Sequence, residues 1–130
     1  MTDHVSDLVI LGGGSAGYAA ALRAAELGRS VVLVEQDRLG GTCLHRGCIP
    51  TKALLHSAEV ADQVRAAASV GIGATLEGVD AEAVAAFRER IVAKKFAGLE
   101  GLVRARGITV VAGVGAAPHT EIAAAAGPPG

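Results

Sequence analysis

The sequence is poor in aromatic side chains and carries no excess of charge of either sign. Phe, Tyr and Trp together make up 2% of its 130 residues, and Trp is absent. Twelve Lys and Arg residues oppose 13 Asp and Glu residues, so the formal net charge is −1. Nucleic-acid binding depends on cationic surfaces and, for single strands, on aromatic stacking, so this composition argues against that function. The core must be built from Ala, Val, Leu and Ile.

Long hydrophobic runs are also missing, although 51% of the residues are hydrophobic and the mean hydropathy is +0.43. The longest stretch without charge, residues 8–22, contains four glycines and is too short to span a bilayer. The first seven residues lack the basic region and the cleavage pattern of a secretory signal. We therefore expect a cytoplasmic protein with no membrane segment. With 19% charged residues the chain should fold, and its length suits one domain.

Cysteine is scarce, and its two copies, Cys43 and Cys48, lie close together. In a reducing compartment such a pair is typical of a catalytic, redox-active or metal-binding site rather than of a disulfide framework. On a regular helix five residues rise about 7.5 Å, more than the Cα separation of a disulfide, so a bonded Cys43 must lie on an irregular turn. Cys48 precedes a helix that should contain Pro50. With Arg46 and Lys52 nearby, its pKa should be lowered.

Two other interpretations of the cysteines stay open at this point. A zinc site could use Cys43, His45, Cys48 and His56, but their spacings match no common four-ligand pattern. Alternatively, both thiols could be inert core residues, because free cysteine is commonly buried.

The first 35 residues predict a β-α-β unit. An apolar strand over residues 7–11 leads into a helix over residues 15–27, which Gly28 should end. A second buried strand follows over residues 31–35. Residues 36–49 then read as a glycine-rich loop.

The rest of the chain predicts two helices and a third strand. The first of these helices should contain Pro50 in its first turn and run through about Ala68, and Asp80 should cap the second, which Gly107 ends. The second has an apolar face at three- and four-residue spacing, formed by Val84, Phe87, Ile91, Val92, Phe96, Leu99 and Val103. The third strand is expected over residues 108–112.

The glycines between the first strand and the first helix satisfy G-x-G-x-x-G at Gly12, Gly14 and Gly17. In a phosphate-binding turn the first glycine allows a sharp bend, the second admits a pyrophosphate, and the third lets helix and strand pack closely. The helix that starts at Ser15 and Ala16 would direct unpaired N–H groups at the phosphates. A chance glycine-rich loop is the alternative interpretation.

Glu35 ends the second strand, where a carboxylate can accept hydrogen bonds from an adenosine ribose. Its negative charge would disfavour a 2′-phosphate. The turn and Glu35 do not distinguish NAD from FAD, because both cofactors contain an adenosine pyrophosphate.

Residues 12–18, Glu35 and residues 40–55 closely resemble the amino-terminal FAD region of the flavoprotein disulfide reductases, and especially their dihydrolipoamide dehydrogenase branch. The resemblance extends from residue 7 to about residue 115. It implies an α/β, Rossmann-like fold with a partial doubly wound parallel sheet. Residues 1–115 would be the amino-terminal part of an FAD/NAD(P)-binding domain. Residues 116–130 are expected to be a disordered, low-complexity tail.

The resemblance also implies a role for each matching residue. Cys43 would exchange with dihydrolipoamide on a lipoyl carrier domain, and Cys48 would pass electrons to FAD. His45 and Arg46 depart from the Asn-Val more usual between the cysteines. The implied FAD contacts are Gly12, Gly14, Ser15, Ala16, Gly17, Glu35, Gly41, Thr42, Lys52 and Gly115.

Family members are several times longer than this chain and form homodimers, with NAD⁺ as co-substrate. The resemblance therefore implies an amino-terminal fragment without the NAD and interface domains. Two alternatives remain: a catalytically inactive FAD-binding remnant, and another reductase of the mycothione or glutathione reductase type.

Overall fold

Strands and helices alternate along the chain, which makes the fold α/β. The computed structural model describes residues 5–116 and the backbone of residues 123–126. The elements in chain order are β1 (Leu8–Leu11), α1 (Ser15–Glu26), β2 (Val31–Glu35), α2 (Gly41–His45), α3 (Cys48–Ala66), a 3-10 helix (Ala67–Val70), α4 (Ala81–Ala105), β3 (Thr109–Ala116) and β4 (Ala123–Ala126).

The strands form one sheet in the order β1-β2-β3-β4. The first three are parallel, with Ile10 opposite Leu33 and Leu33 opposite Val110, and β4 pairs antiparallel with β3. Parallel neighbours need long crossovers, which α1 supplies after β1 and α2 to α4 supply after β2. The predicted parallel α/β sheet is therefore confirmed.

The core lies between the sheet and the two helices α1 and α4. Leu33 of the central strand β2 is fully buried, and it shares a cluster with Ala21 of α1 and Val103 of α4. All four residues from 31 to 34 are buried, as expected for the middle strand of a parallel sheet. The buried hydrophobic residues in the described part of the chain are all Ala, Val, Leu or Ile, as the composition predicts.

Glycines end α1 and α4 as predicted. After α1, Gly28 adopts a φ of 76° and donates its N–H to Ala25, while Arg29 donates to Ala24. After α4, Gly107 adopts a φ of 66° and Ile108 donates to Val103. These are the paired bonds of Schellman caps, which need a left-handed residue just past the helix end.

The predicted start and the predicted inner face of α4 are also correct. The Asp80 side chain accepts a hydrogen bond from the Ala83 N–H at 3.0 Å, which satisfies one free donor of the first turn. The seven apolar residues from Val84 to Val103 are all buried or partly buried.

Two predicted boundaries are wrong. Residues 36–49 are not a continuous loop, because they contain α2 and the start of α3. Pro50 does lie in the first turn of its helix, as predicted, since α3 begins at Cys48 and ends at Ala66 before the 3-10 helix. Strand β3 continues through Gly113 and Gly115 to Ala116 rather than stopping at residue 112, since it gains β4 as a partner there.

The predicted tail, residues 116–130, lies mostly outside the described residues. Within it the structure describes Ala116 as the last residue of β3 and Ala123–Ala126 as β4. Among the described residues, no helix has the length and apolar character needed to cross a membrane.

Candidate redox and dinucleotide-binding site

The glycine turn follows β1 and folds back onto the start of α1. Gly12 has a φ of 95° and donates its N–H to the carbonyl oxygen of Val34 at 2.7 Å. A Cβ atom on Gly17 would overlap the carbonyl oxygen of Gly12, so only glycine lets the helix approach this closely. The first and third glycines thus occupy the positions that a dinucleotide-binding turn requires.

The second glycine leaves room for a ligand. No described atom lies within 4 Å of the position that a Cβ on Gly14 would occupy. Gly14 is also the N-cap of α1 and supplies no capping side chain, and Ser15 and Ala16 after it are exposed. The amino end of α1 therefore offers N–H donors and positive dipole charge to an acceptor such as a pyrophosphate. Gly14, Ser15 and Ala16 therefore fit a bound pyrophosphate.

The Glu35 carboxylate is already engaged by two backbone donors. One oxygen accepts from the Gly13 N–H at 2.6 Å, and the other accepts from the Asp37 N–H at 2.8 Å. A carboxylate has about four acceptor positions, so each oxygen keeps capacity for a further hydrogen bond. A cavity of about 370 Å³ adjoins Glu35 and Ala112. It therefore reaches the carboxyl end of β2, and ligands of open α/β sheets bind at the carboxyl ends of strands.

The two cysteines lie on either side of a break between two helices. Cys43 is in the middle of the five-residue helix α2, and Cys48 is the first residue of α3. The break falls at Gly47, whose φ of −126° and ψ of −107° are not helical. A Cβ there would lie 3.2 Å from the Thr42 carbonyl oxygen, so glycine allows the two helices to meet. As expected, the two cysteines do not share one regular helix, and the irregular residue between them is Gly47, while Cys43 itself lies in the short helix α2.

This break places the two thiols near enough to shift each other's pKa. The hydrogen bond from Cys48 lowers the pKa of Cys43, with smaller lowering effects from the Ser15 side chain, the Cys48 backbone and the Lys52 ammonium. The same bond raises the pKa of Cys48, together with desolvation and the charge on Cys43. The sequence-based prediction that Cys48 has the lowered pKa is therefore wrong. Ionisation of one thiol therefore disfavours ionisation of the other.

Arg46 does not assist this ionisation. Its guanidinium binds the Asp37 carboxylate at 3.0 Å, which neutralises part of its charge. Lys52, one turn into α3, does favour the ionised form of both thiols. Neither cysteine is buried, since Cys43 is partly exposed and Cys48 exposed, so the pair does not fit the interpretation as inert core thiols.

The two nearby histidines have contacts of their own. The Nε2 atom of His45 lies 2.9 Å from the Leu39 carbonyl oxygen, and its ring meets Phe96 edge-on at 5.0 Å. His56 lies on α3 beside Phe87 and Glu59. Within residues 5–116 and 123–126, no three His, Cys, Asp or Glu side chains are grouped so as to hold a metal ion.

The remaining predicted site residues fall into two places. Gly41 and Thr42 open α2, and Gly41, with a φ of 59°, lies so close to the turn that a Cβ would be 2.9 Å from the Gly14 Cα. Gly115 lies instead in β3, where a Cβ would overlap the Leu11 side chain. The structure therefore brings the turn, Glu35 and the cysteine helix together.

Gly13 and Gly40 are not among the predicted site residues, although both make contacts that hold the site together. Gly13 fills a variable position of the G-x-G-x-x-G pattern, yet it is buried and bonds to both Glu35 and Gly40. The sequence does contain a signal for their contact. Three consecutive glycines form the turn, and a glycine pair lies at the start of α2, so both segments allow their backbones to approach each other.

Known proteins match this region. A family model described as pyridine nucleotide-disulphide oxidoreductase matches residues 6–117. The dihydrolipoyl dehydrogenase of Bacillus subtilis is 47% identical over 109 residues, which cover 84% of this chain and 23% of that protein. The enzyme of the same name from Haemophilus influenzae is 46% identical over 110 residues, covering 84% of this chain and 23% of that protein.

A solved structure is similar as well. The crystal structure of LpdA from Mycobacterium tuberculosis superposes with a TM-score of 0.77 at 29% identity, covering 86% of this chain and 24% of that chain. The chain thus spans about a quarter of the length of the curated relatives it matches. The resemblance seen in the sequence is confirmed. Since the family model spans most of its residues, this chain belongs to the pyridine nucleotide-disulphide oxidoreductase family.

Proposed function

We propose that this chain carries the redox centre of an FAD-dependent dihydrolipoyl dehydrogenase. A disulfide between Cys43 and Cys48 takes two electrons from dihydrolipoamide. When bound, FAD would carry two electrons from the resulting dithiol to NAD⁺. The observation that carries the proposal is the placement of the two cysteines on either side of the break at Gly47, near enough that each shifts the pKa of the other.

Each step at the cysteines follows from thiol–disulfide exchange. A thiolate of dihydrolipoamide attacks the Cys43 sulfur, the Cys43–Cys48 bond breaks, and Cys48 leaves as a thiolate. The second substrate thiol, after losing its proton, attacks the substrate sulfur of this mixed disulfide. Cys43 then leaves as a thiolate, and the substrate becomes a cyclic disulfide. Two electrons and no atoms pass to the protein, and two protons go to solvent.

We assign the exchange to Cys43 as the family resemblance implies, and the lowered pKa of its thiol supports that role. In the reverse direction a disulfide substrate is attacked by a thiolate, and a lowered pKa increases the thiolate fraction of Cys43. Lys52 supports this role, since its positive charge stabilises a thiolate on either sulfur.

The proposed FAD contacts are those of the sequence analysis. The amino end of α1 suits the pyrophosphate, because its first turn lacks a capping side chain among the described residues. Glu35 would accept from the adenosine ribose with its remaining acceptor positions. The full proposed set is Gly12, Gly14, Ser15, Ala16, Gly17, Glu35, Gly41, Thr42, Lys52 and Gly115.

The proposal extends to the whole protein by analogy with the named relatives. Five curated relatives carry the name dihydrolipoyl dehydrogenase at 43% to 47% identity. A cytoplasmic homodimer acting on a lipoyl carrier domain, with NAD⁺ as acceptor, is part of the proposal. Residues 1–115 would contribute the amino-terminal part of the FAD domain.

The test is NADH formation by the whole protein, with the NAD and interface domains that the resemblance implies, supplied with FAD, NAD⁺ and dihydrolipoamide. We expect turnover with dihydrolipoamide, at least about a hundredfold less with reduced glutathione, and none in the Cys48→Ser variant. Ser57→Ala is the control, because Ser57 only bonds its own helix backbone at Ala53 and should leave the rate unchanged. Turnover in Cys48→Ser, or equal rates with both thiols, would refute the assignment.

A further inference from the structure

The backbone of Gly13 connects Glu35 to the helix that carries Cys43. Its N–H donates to the Glu35 carboxylate at 2.6 Å, and its carbonyl oxygen accepts from the Gly40 N–H at 2.8 Å. The first of these bonds is short and has an ionised acceptor, which makes it stronger than a neutral hydrogen bond. Both backbone polar groups of Gly13 are therefore hydrogen-bonded, the N–H to Glu35 and the carbonyl oxygen to Gly40.

Close packing fixes Gly13 in this place. It is buried, and a Cβ on it would lie 2.9 Å from Leu39, 3.0 Å from Leu33 and 3.2 Å from the Glu35 carboxylate. Leu33 and Leu39 belong to the core cluster, so they cannot easily move away. A shift of the Glu35 carboxylate is therefore transmitted to the Gly13 backbone.

The far end of this connection is the start of α2. Gly40 is the N-cap of α2, with a φ of 100°, and a side chain there would run into Leu44. Cys43 follows three residues later. Its sulfur meets Cys48 only if α2 keeps its place relative to α3, because the two helices join at the break at Gly47.

We propose that Glu35 is a positioning residue for Cys43, acting through the backbone of Gly13 and Gly40. Glu35 lies outside both helices that carry the thiols, yet it fixes the start of α2 and so keeps the two sulfurs in contact. The proposal rests on the proposed function, because it treats Cys43 as the exchanging thiol. It adds that Glu35, which is assigned to the adenosine ribose, also influences how readily the Cys43 thiol reacts.

The proposal predicts a change opposite in sign to a direct charge effect. The groups that face Cys43 are the Cys48 thiol and the Lys52 ammonium on α3 and the Ser15 hydroxyl on α1. Removing a distant negative charge would slightly lower the pKa of the Cys43 thiol. Losing the contact with Cys48 would raise it, because the largest lowering effect is that hydrogen bond.

The experiment measures the alkylation rate of each cysteine by iodoacetamide across pH, with peptide mass spectrometry, in the purified chain. In Glu35→Ala we expect Cys43 to react about three- to tenfold more slowly at pH 7, while its limiting rate at high pH stays within about twofold. Glu35→Gln, which keeps one acceptor oxygen, should give a smaller effect in the same direction. Glu77→Ala is the control, because Glu77 is exposed in a loop and removes the same charge.

The outcomes separate the possibilities. A slower Cys43 with an unchanged limiting rate supports the proposal, and an unchanged or faster Cys43 overturns it. Faster reaction of both cysteines at every pH would indicate general loosening of the fold and would also overturn it. If Glu35→Ala does not fold by circular dichroism, Glu35→Gln decides. The assay needs neither FAD nor NAD⁺, so its result is independent of dihydrolipoamide turnover.

Discussion

Gly17 touches the carbonyl oxygen of Gly12 so closely that a Cβ atom at residue 17 would overlap it. The contact sets how near α1 lies to the turn after β1. Because α1 packs on the core through Ala21, its position also fixes where its amino end lies. The site therefore depends on a backbone contact that no other residue type permits.

Replacing Gly17 with alanine should destabilise the chain. Overpacking a tight contact costs about 1–3 kcal/mol, and here the neighbour is backbone that cannot rotate away. The free energy of unfolding in urea checks this. Gly98→Ala is the matched control, because no described atom lies within 4 Å of its added Cβ and it lies inside α4. That variant should be about 0.5–1 kcal/mol more stable than the parent. Equal effects from both variants would contradict the packing argument.

At neutral pH iodoacetamide should modify Cys43 before Cys48. Only the thiolate reacts, and the pKa of Cys43 lies below the ordinary value of 9.0 while that of Cys48 lies above it. We expect a rate ratio of at least about three at pH 7, narrowing as the pH rises and both thiols ionise. Exposure alone favours the opposite order, because Cys48 is the more exposed residue. Peptide mass spectrometry decides which order holds.

The charge of Lys52 should influence both rates. In Lys52→Met the pKa of each thiol should rise, since the ammonium lowers both, and each cysteine should react more slowly at pH 7. Lys94→Met removes the same charge from an exposed position on α4 and should leave both rates unchanged. If Lys94→Met slowed the thiols as much as Lys52→Met, the effect of Lys52 would not be local.

Local signals explain what the sequence predicted correctly. The strand β2, the capping residue Asp80 and the glycines after α1 and α4 each follow from a pattern within a few residues. The glycine turn was predictable for the same reason, because its spacing lies between a clear strand and a clear helix.

The errors concern features that depend on contacts between distant segments. α2 has five residues and begins with a glycine, so no propensity predicts it, and its start is held by Gly13 from the turn. The pKa order of Cys43 and Cys48 depends on which thiol donates to the other, which spacing does not show. The hydrogen bond between Glu35 and Gly13 likewise joins residues that are far apart in the sequence, so no local pattern predicts it.

Hydrogen bonds between Asp7 and Ser30 join the amino end of β1 to the start of β2. We call this contact the clamp, and it should make the stability of the fold depend on pH. The Asp7 carboxylate accepts from both the N–H and the hydroxyl of Ser30 at 2.8 Å. These bonds lower the pKa of Asp7 below its ordinary value of 3.8. The stability that the Asp7 carboxylate contributes to the fold is thus fully present above pH 3.8 and is lost as the pH falls through the lowered pKa.

The Asp7→Asn variant tests this dependence. Its urea midpoint should lie below that of the parent at pH 6, and the difference should shrink as the pH falls below 3.8. Asp62→Asn, which removes a carboxylate paired with Arg65 on the same helix, controls for the loss of one surface charge. A difference that grows in acid would contradict the clamp.

Gly115 packs against Leu11, which ties β3 to β1 across the sheet. In Gly115→Ala the added Cβ meets the Leu11 side chain, so we expect a loss of about 1–3 kcal/mol in the free energy of unfolding. Adding Leu11→Ala removes the obstacle, so the two changes should couple by about 0.5–3 kcal/mol in a double-mutant cycle. Gly73→Ala, in an open loop, is the control. Simple additivity of the two changes would show that the contact is absent in solution.

The most direct test of the redox centre is to oxidise the purified chain with excess oxidised glutathione and to map its peptides by mass. Two electrons would pass from the thiols to glutathione disulfide, which becomes two molecules of glutathione. We predict one product in which Cys43 and Cys48 are linked within the same chain, lighter by two hydrogen atoms and no longer alkylated. Two cysteines that stay alkylatable, or that link only between chains, would contradict the assignment.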